Sequence, residues 1–361
     1  MNSPSRNQYF PDSVTPPGET LLETIEAIGM TQAELAERTG RPTKTISEII
    51  NAKTAITTET ALQFEKVLGV PARFWTNLER NYQEWKAREA ERVVLEPFLS
   101  WMDDFPVKEM IKLGWIEHSN DPISQLIQLL QFFGVATPEH WEPVWAGANV
   151  AYRRSPAFTA QPGVVSVWLR KGELDAQKIE CAHYDAARFR AALSEIRLLT
   201  TRDPQEFVPA MQSLCAQAGV AVVFVHELPH LRTSGATRWL NPNKALIQLS
   251  LLYKTDDHLW FTFFHEAGHI LLHGKRDVFL EEGTGADDKE AEANNFSASI
   301  LIPEEKYQHF TPHYGGFSEA EVLSFASEVG IAPGIIVGRL QHEKKLPITH
   351  LNKLKRKLIW A

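Results

Sequence analysis

The stretch that most constrains this chain is "HLWFTFFHEAGHILLHGK", residues 258–275. Its apolar density requires burial, yet it carries His265, Glu266, His269 and His273. A buried helix tolerates such groups only when each is hydrogen-bonded or ligates an ion. His265 and His269 stand four apart and share one helical face, so their imidazoles can hold one cation. Glu266 is adjacent in sequence and can reach a water at that cation from the side. This is the His-Glu-x-x-His arrangement, in which the Glu serves as general base. His273 lies eight residues beyond His265, about 12 Å along a helix axis, too far to join the same ion. It is expected as a supporting group behind the ligands.

A third ligand must come from another segment. The acidic run "DDKEAEANNF" begins about 20 residues downstream, with Glu290 and Glu292 two apart and therefore on different faces. Glu292 is the expected ligand, because it precedes "ANNFSASILIP", whose apolar positions would pin that face against the His-bearing helix. Two His and one Glu leave a fourth position for water, as hydrolysis requires. The oxyanion donor stays open among Tyr307, His309 and His313.

The second informative stretch is "TQAELAERTGRPTKTISEIINAK". Thr31 and Glu34 form a capping box, Gly40 suits a turn, and Pro42 falls near the first turn of a following helix. Ile46, Ile49 and Ile50 form its buried stripe. Thr43, Lys44, Ser47 and Glu48 lie opposite. Such a pair is a helix-turn-helix, whose second helix enters the major groove. Thr43, Lys44 and Ser47 are expected at base edges or phosphates, and Arg41, Asn51 and Lys53 at phosphates. The whole chain carries net charge −8, which argues against wholesale nucleic-acid binding but not against one locally basic face.

Elsewhere the sequence is plainer. Residues 1–14 read as a disordered, Pro-containing tail with no signal-peptide core. No run is long and apolar enough for a membrane span. Cys181 and Cys215 are far apart and lack metal spacing, so a reducing, cytoplasmic setting is expected. The Trp-rich middle reads as a helical connector, with "GVVSVWLR" alternating like a strand. Near the end, "EVLSFASEVGIAPGIIVGRLQHEKK" echoes helix-turn-helix spacing. Gly334 and Gly338 weaken its groove face of Arg339, His342 and Lys344, so a structural role is expected there. Three short helices are expected from Ser318 to Leu358.

Two resemblances sharpen these readings. "FHEAGHILLH", "EAEANNFSASILIP" and "GIAPGIIVGRLQHEKKLP" resemble, in order, the motifs of the ImmA/IrrE zinc metallopeptidases, over about 204–358. The resemblance implies Zn2+ on His265, His269 and Glu292, with Glu266 as catalytic acid/base, and a link to transcription regulators. Residues 15–89 resemble the Xre/HigA-type regulators and antitoxins, with Ala52 where Gly is common. That resemblance implies a homodimer on a palindromic double-stranded DNA operator.

The expected fold is mainly α with a small β-sheet (α+β). A disordered tail (1–14) leads into a five-helix, lambda-repressor-like DNA-binding domain (15–92). A connector (93–198) and a zincin-like metallopeptidase domain (199–361) follow. The expected function is a DNA-binding, HigA-like antitoxin or transcription regulator whose zinc domain cleaves a repressor or toxin partner. The alternative is a non-proteolytic repressor whose zinc domain senses a ligand or holds a partner.

Overall fold

The computed structural model describes residues 14–145, 162–273, 279–280, 288–311 and 316–360. The expected tail, residues 1–13 of it, and His313 lie outside the described residues. The chain divides into two compact units, one up to Pro97 and one from Phe98 onward. The stretch read as a separate connector therefore belongs, beyond Pro97, to the same unit as the His-bearing helix.

The first unit is five helices: α1 (Pro17–Ala27), α2 (Gln32–Thr39), α3 (Thr43–Ile50), α4 (Thr58–Leu68) and α5 (Ala72–Leu95). The Thr31–Glu34 capping box forms as expected: the Glu34 N–H donates to Thr31 Oγ1 at 3.2 Å, and the Thr31 N–H to Glu34 Oε2 at 2.8 Å. Gly40 ends α2 with φ +68°, so the chain turns sharply into α3. Leu21, Leu35, Ile46, Ile49, Phe64 and Trp75 close one core. Gly18 makes a close approach possible: a Cβ there would stand 2.2 Å from the Ile49 carbonyl oxygen. Buried Glu79 accepts the Ile56 N–H at 3.0 Å and pins the chain after α3.

The second unit is built around a four-stranded sheet. Its strands are β1 (Val220–Phe224), β2 (Gly235–Asn241), β3 (Lys244–Leu249) and β4 (Phe279–Leu280), in order β1-β3-β2-β4. β1 and β3 run parallel, with Val220 opposite Ala245; β2 is antiparallel to both β3 and β4. Ahead of the sheet come α6 (Val107–Lys112), α7 (Pro122–Phe133), α8 (Pro162–Gln177), α9 (Ala186–Leu198) and α10 (Pro204–Gln217). After β3 comes α11 (Asp256–Leu272), followed beyond β4 by α12 (Asp288–Leu301), α13 (Glu304–Phe310), α14 (Glu319–Val329) and α15 (Pro333–His342).

Alternation along the strands sorts side chains onto two faces. Val220, Val222, Ala245, Ile247 and Leu249 join the core that holds α11. Ala221, Val223, Ala236 and Leu246 join a second core with Val164, Val165, Val167 and Trp168. The expected strand "GVVSVWLR" is thus helix α8. It is buried almost all round, so its apolar run carries no face signal that could separate helix from strand. Gly172 lets α8 sit on the sheet, since a Cβ there would overlap the Gln248 amide, whose nitrogen donates to the Trp168 carbonyl at 2.7 Å.

α14 and α15 are bent by 113° to one another. Of the echoed groove face, Arg339 is engaged within the unit: it pairs with Glu304 at 2.7 Å and Glu343 at 2.9 Å, and lies over the Tyr307 ring. Gly334 and Gly338 admit Asp256 and Asp257 at the start of α11, where a Cβ would stand 2.6 Å from either carboxylate. The last residues tie down the same end, with Lys355 on Asp257 at 2.6 Å and the Leu358 N–H on the Lys254 carbonyl at 2.9 Å. The third expected helix there is only a 3-10 turn, Asn352–Leu354. Among the described residues no single helix is long and apolar enough to cross a membrane.

Candidate metal centre and nucleic-acid interface

α11 starts after Thr255 and ends where His273 turns extended, at φ −113° and ψ 166°. Leu259, Trp260, Phe263, Phe264, Ala267 and Ile270 hold it in the core. His265 and His269 are 1% exposed and Glu266 is fully buried. The two Nε2 atoms face each other at 3.0 Å, as one helical turn of spacing allows.

The carboxylate beside them is Glu290, not Glu292. Glu290 Oε2 lies 3.2 Å from His265 Nε2, and Oε1 lies 3.3 Å from His269 Nε2. Glu292 bonds His273 Nε2 at 3.1 Å instead, with its side chain 62% exposed. The expectation for Glu292 is therefore corrected, and periodicity explains why. The face of α12 turned to α11 runs through Ala293, Ser297 and Leu301, all buried. Glu290 extends that stripe by three residues, whereas Glu292 is one residue, about 100°, off it. Small residues bring the helices close: a Cβ on Gly268 would stand 3.3 Å from the Ala293 Cα.

The outer ring nitrogens have partners too. His265 Nδ1 meets Asn294 Oδ1 at 3.0 Å, and His269 Nδ1 meets His273 Nδ1 at 2.9 Å. Asn294 went unnoticed in the sequence, although it follows Glu290 by four residues and so shares its face. His273 stands behind the pair, against His269. Ser297 Oγ donates to the Phe261 carbonyl at 2.9 Å and ties the two helices further.

Electrostatics suit a cation. Burial works to raise the Glu290 pKa, but hydrogen bonds from His265 and His269 outweigh it and hold the carboxyl at about 2. Burial lowers the His269 pKa against the pull of Glu290, so the imidazole is neutral near pH 7. His265 Nδ1 is turned to Asn294, so its Nε2 is the atom that faces Glu290. Two imidazole nitrogens and one carboxylate, mutually within 4.8 Å, converge at the cluster. Nitrogen and oxygen donors of this kind fit Zn2+.

Glu266 faces the first residue of β2. A Cβ on Gly235 would stand 2.7 Å from Glu266 Oε1 and 2.5 Å from Thr262 Cγ2. Thr237 Oγ1, two residues along, donates to the Glu266 carbonyl at 3.1 Å. Of the oxyanion candidates, Tyr307 is buried and donates to Glu343 at 2.9 Å, and His309 Nδ1 bonds the Glu305 carbonyl.

In the first unit, Thr43 is exposed, the Lys44 side chain is 84% exposed, and Ser47 is half-buried on α3. Lys44 reaches Glu48 at 3.7 Å, a solvent-screened surface contact. Lys53 is exposed just beyond α3. Arg41 differs from expectation. It is held by Gln63 and by Glu59 at 3.4 Å, its side chain only 20% exposed, so it braces α4. Asn51 donates to the Ser47 carbonyl at 2.7 Å and closes the end of α3. Ala52 takes φ +54°, the left-handed conformation in which Gly is favoured.

Comparison with known proteins agrees with both units. Residues 21–75 match a helix-turn-helix family model, and residues 222–341 match the model of the IrrE N-terminal-like domain, Peptidase M78. The HTH-type transcriptional regulator YddM of Escherichia coli (strain K12), itself uncharacterized, is 28% identical over 78 residues, 22% of this chain and 80% of that protein. An addiction module antidote protein of the HigA family from Coxiella burnetii is 31% identical, covering 23% of this chain and 91% of that one, with a TM-score of 0.22. A protein named as an antidote protein of a plasmid maintenance system, from Nostoc punctiforme, is 29% identical, covering 24% of this chain and 94% of its own, with a TM-score of 0.23.

Proposed function

We propose that this chain, a helix-turn-helix domain followed by an IrrE N-terminal-like domain, is a DNA-binding regulator whose second unit is a zinc-dependent peptidase acting on a repressor or toxin partner. The observation that carries the peptidase half is the convergence of His265, His269 and Glu290 on one point, with Glu266 on the same buried helix.

The neutral imidazoles of His265 and His269 and the ionised Glu290 would hold Zn2+. When bound, such an ion polarises a carbonyl and acidifies water. Glu266 takes the proton from the attacking water and returns it to the departing amine nitrogen, so the peptide C–N bond breaks and a C–O bond forms. Asn294 fixes the His265 ring, and the apolar wall of Phe263 and Phe264 keeps α11 from shifting.

For the first unit, the α3 face of Thr43, Lys44 and Ser47 would enter the major groove of a double-stranded operator, with Lys53 on a phosphate. A single module this small covers little DNA, which favours a homodimer on a palindromic site. Joining the units raises the peptidase's effective concentration near proteins on the same operator.

Two experiments test this reading. Purified protein with Zn2+ should cleave a regulator or toxin encoded beside it, and Glu266→Gln should abolish cleavage while retaining the metal. Cleavage that survives Glu266→Gln refutes the mechanism, and metal-loaded protein that cleaves none of those neighbours supports a zinc domain that senses or holds a partner. Lys44→Ala with Ser47→Ala should abolish a salt-dependent operator footprint. An intact footprint would remove α3 from the groove.

A further inference from the structure

We propose that Arg238, Arg170 and Trp145 form a binding site for a small organic carboxylate, on the face of the sheet turned away from the metal centre. The inference uses none of the residues of that centre and stands whether or not a metal binds there.

Strand alternation puts the site there. Along β2, Thr237 turns toward α11, where its hydroxyl donates to the Glu266 carbonyl, and Ala236 and Arg238 turn the other way. Ala236 joins the core that holds α8, so Arg238 emerges on the α8 side as well. There it meets Glu173 of α8. Arg238 Nη2 lies 2.5 Å from Glu173 Oε2, and Arg170 Nη1 lies 3.1 Å from the same oxygen. Burial works to raise the Glu173 pKa, but the two guanidiniums outweigh it and hold the carboxyl below its ordinary range. Guanidinium groups stay charged at any ordinary pH. One carboxylate therefore faces two fixed positive charges and leaves one of them over. The side chains of Arg238 and Arg170 are each only 15% exposed, so solvent screens that surplus poorly while the edge of the site still opens to water.

Donors are left over too. Arg238 Nε and Trp145 Nε1 are buried, and among the described residues neither meets an acceptor. The two groups are neighbours: the Trp145 ring lies 5.8 Å from the Arg238 guanidinium carbon and 6.0 Å from that of Arg170. Arg170 is anchored, since its Nε donates to the Phe132 carbonyl at 2.8 Å at the end of α7. Buried N–H groups without acceptors are costly, and more so on a charged group. A water would satisfy either N–H but would leave the surplus charge. An anion answers both. The Nε–H and the adjacent Nη–H of a guanidinium form a fork that fits the two oxygens of a carboxylate. The surroundings favour an organic one. The Phe133 ring stands 5.6 Å from Trp145, and Trp141 stands 5.9 Å from Phe133, an aromatic wall for the body of such a ligand.

The test uses the full chain with acetate, benzoate and inorganic phosphate as probes, each against sodium chloride at matched ionic strength. Side-chain NMR of the Arg238 Nε–H and the melting temperature are the readouts. Acetate and benzoate should each shift that resonance saturably and raise the melting temperature, with dissociation constants on the order of 1 mM for ligands of so few atoms. Benzoate should bind more tightly than acetate, because its ring gains the aromatic wall. Arg238→Lys keeps the charge but lacks the Nε–H, and it should weaken benzoate about 10- to 100-fold. Trp145→Phe keeps an aromatic ring but lacks the N–H, and it should weaken benzoate about 3- to 10-fold. It carries the test even if Arg238→Lys fails to fold. Zn2+ affinity should be unchanged in Trp145→Phe, whose side chain belongs to the core on the other side of the sheet.

An Arg238 Nε–H unmoved by both carboxylates at about 50 mM, far above the expected constant, would overturn the site and leave its donors to ordered water. Phosphate binding in preference to both would overturn the ligand class. Benzoate affinity within about twofold of wild type in the folded variants would place the binding elsewhere and do the same.

Discussion

Gly235→Ala is the sharpest test of how this site is assembled. Gly235 opens β2, and its φ lies outside the left-handed region, so alanine meets no backbone penalty there. The effect is purely steric. The new methyl would stand 2.5 Å from Thr262 Cγ2, 2.7 Å from Glu266 Oε1 and 2.9 Å from Glu266 Cγ. All three belong to buried side chains on α11, which the core holds from behind. Overpacking of this kind costs about 1–3 kcal/mol. For a unit of this size that is roughly 2–4 °C of melting temperature per kcal/mol. The second consequence is chemical. The Glu266 carboxylate must move by several tenths of an ångström or more, and misplacement by about 1 Å can lower turnover on the order of 100-fold. Zn2+ affinity should stay at the wild-type value, because Gly235 has none of the three ligands among its nearest neighbours. Thr262→Ser removes the closest clashing carbon. Alone it loses about 1 kcal/mol of buried methyl, but combined with Gly235→Ala it should recover part of the lost stability while the Glu266 contacts stay tight, a coupling of opposite sign to the single effects. Calorimetry, chelator competition and the cleavage assay read the three quantities separately. A Gly235→Ala protein with wild-type stability and turnover, or strictly additive effects of the pair, would refute the packing of β2 on Glu266.

Three further outcomes follow from particular residues. Ala52→Gly should stabilise the first unit by about 0.5–1 kcal/mol, since it relieves a left-handed alanine at the cost of glycine's chain entropy; slower hydrogen exchange at core amides such as Phe64 would register it, and faster exchange would contradict it. Gly18→Ala should cost about 3 kcal/mol, the upper end for overpacking, because the carbonyls of Ile49 and Ile50 cannot yield as a side chain would; an unchanged exchange profile would refute the close approach of α1 to α3. Burial, opposed by backbone N–H donors, lifts the Asp256 pKa to about 6. The folded value lies above the unfolded one near 3.9, so stability falls as pH rises through that window, by about 3 kcal/mol in full. Asp256→Asn should therefore raise the melting temperature at pH 7.5 and have little effect at pH 4, where the carboxyl is already protonated. A gain confined to low pH would reverse the sign and sink the argument.

Much of this molecule was legible in its residues, because some signals are local. The spacing of His265 and His269 puts two rings on one face of any helix. Thr31 and Glu34 cap α2 through contacts within four residues, and Ile46 and Ile49 bury one side of α3 whatever surrounds it. Such features need only the helical repeat. The errors arose where the decisive neighbour is remote. The run 163–170 could not disclose α8, because a helix covered on every side shows no amphipathic period, and its cover is the sheet formed by residues 220–249. Arg41 looks like a phosphate ligand until α4 brings up Glu59 and Gln63. Two carboxylates two residues apart fix only that one of them faces α11. Which one depends on how α12 is rotated, and the packing of Ala293 and Ser297 against Gly268 and Phe261 sets that rotation. Sequence determined the periodicities and the chemistry available on each face. Tertiary structure decided which faces meet, since that choice follows from burying small residues between two helices, an energy no single segment contains.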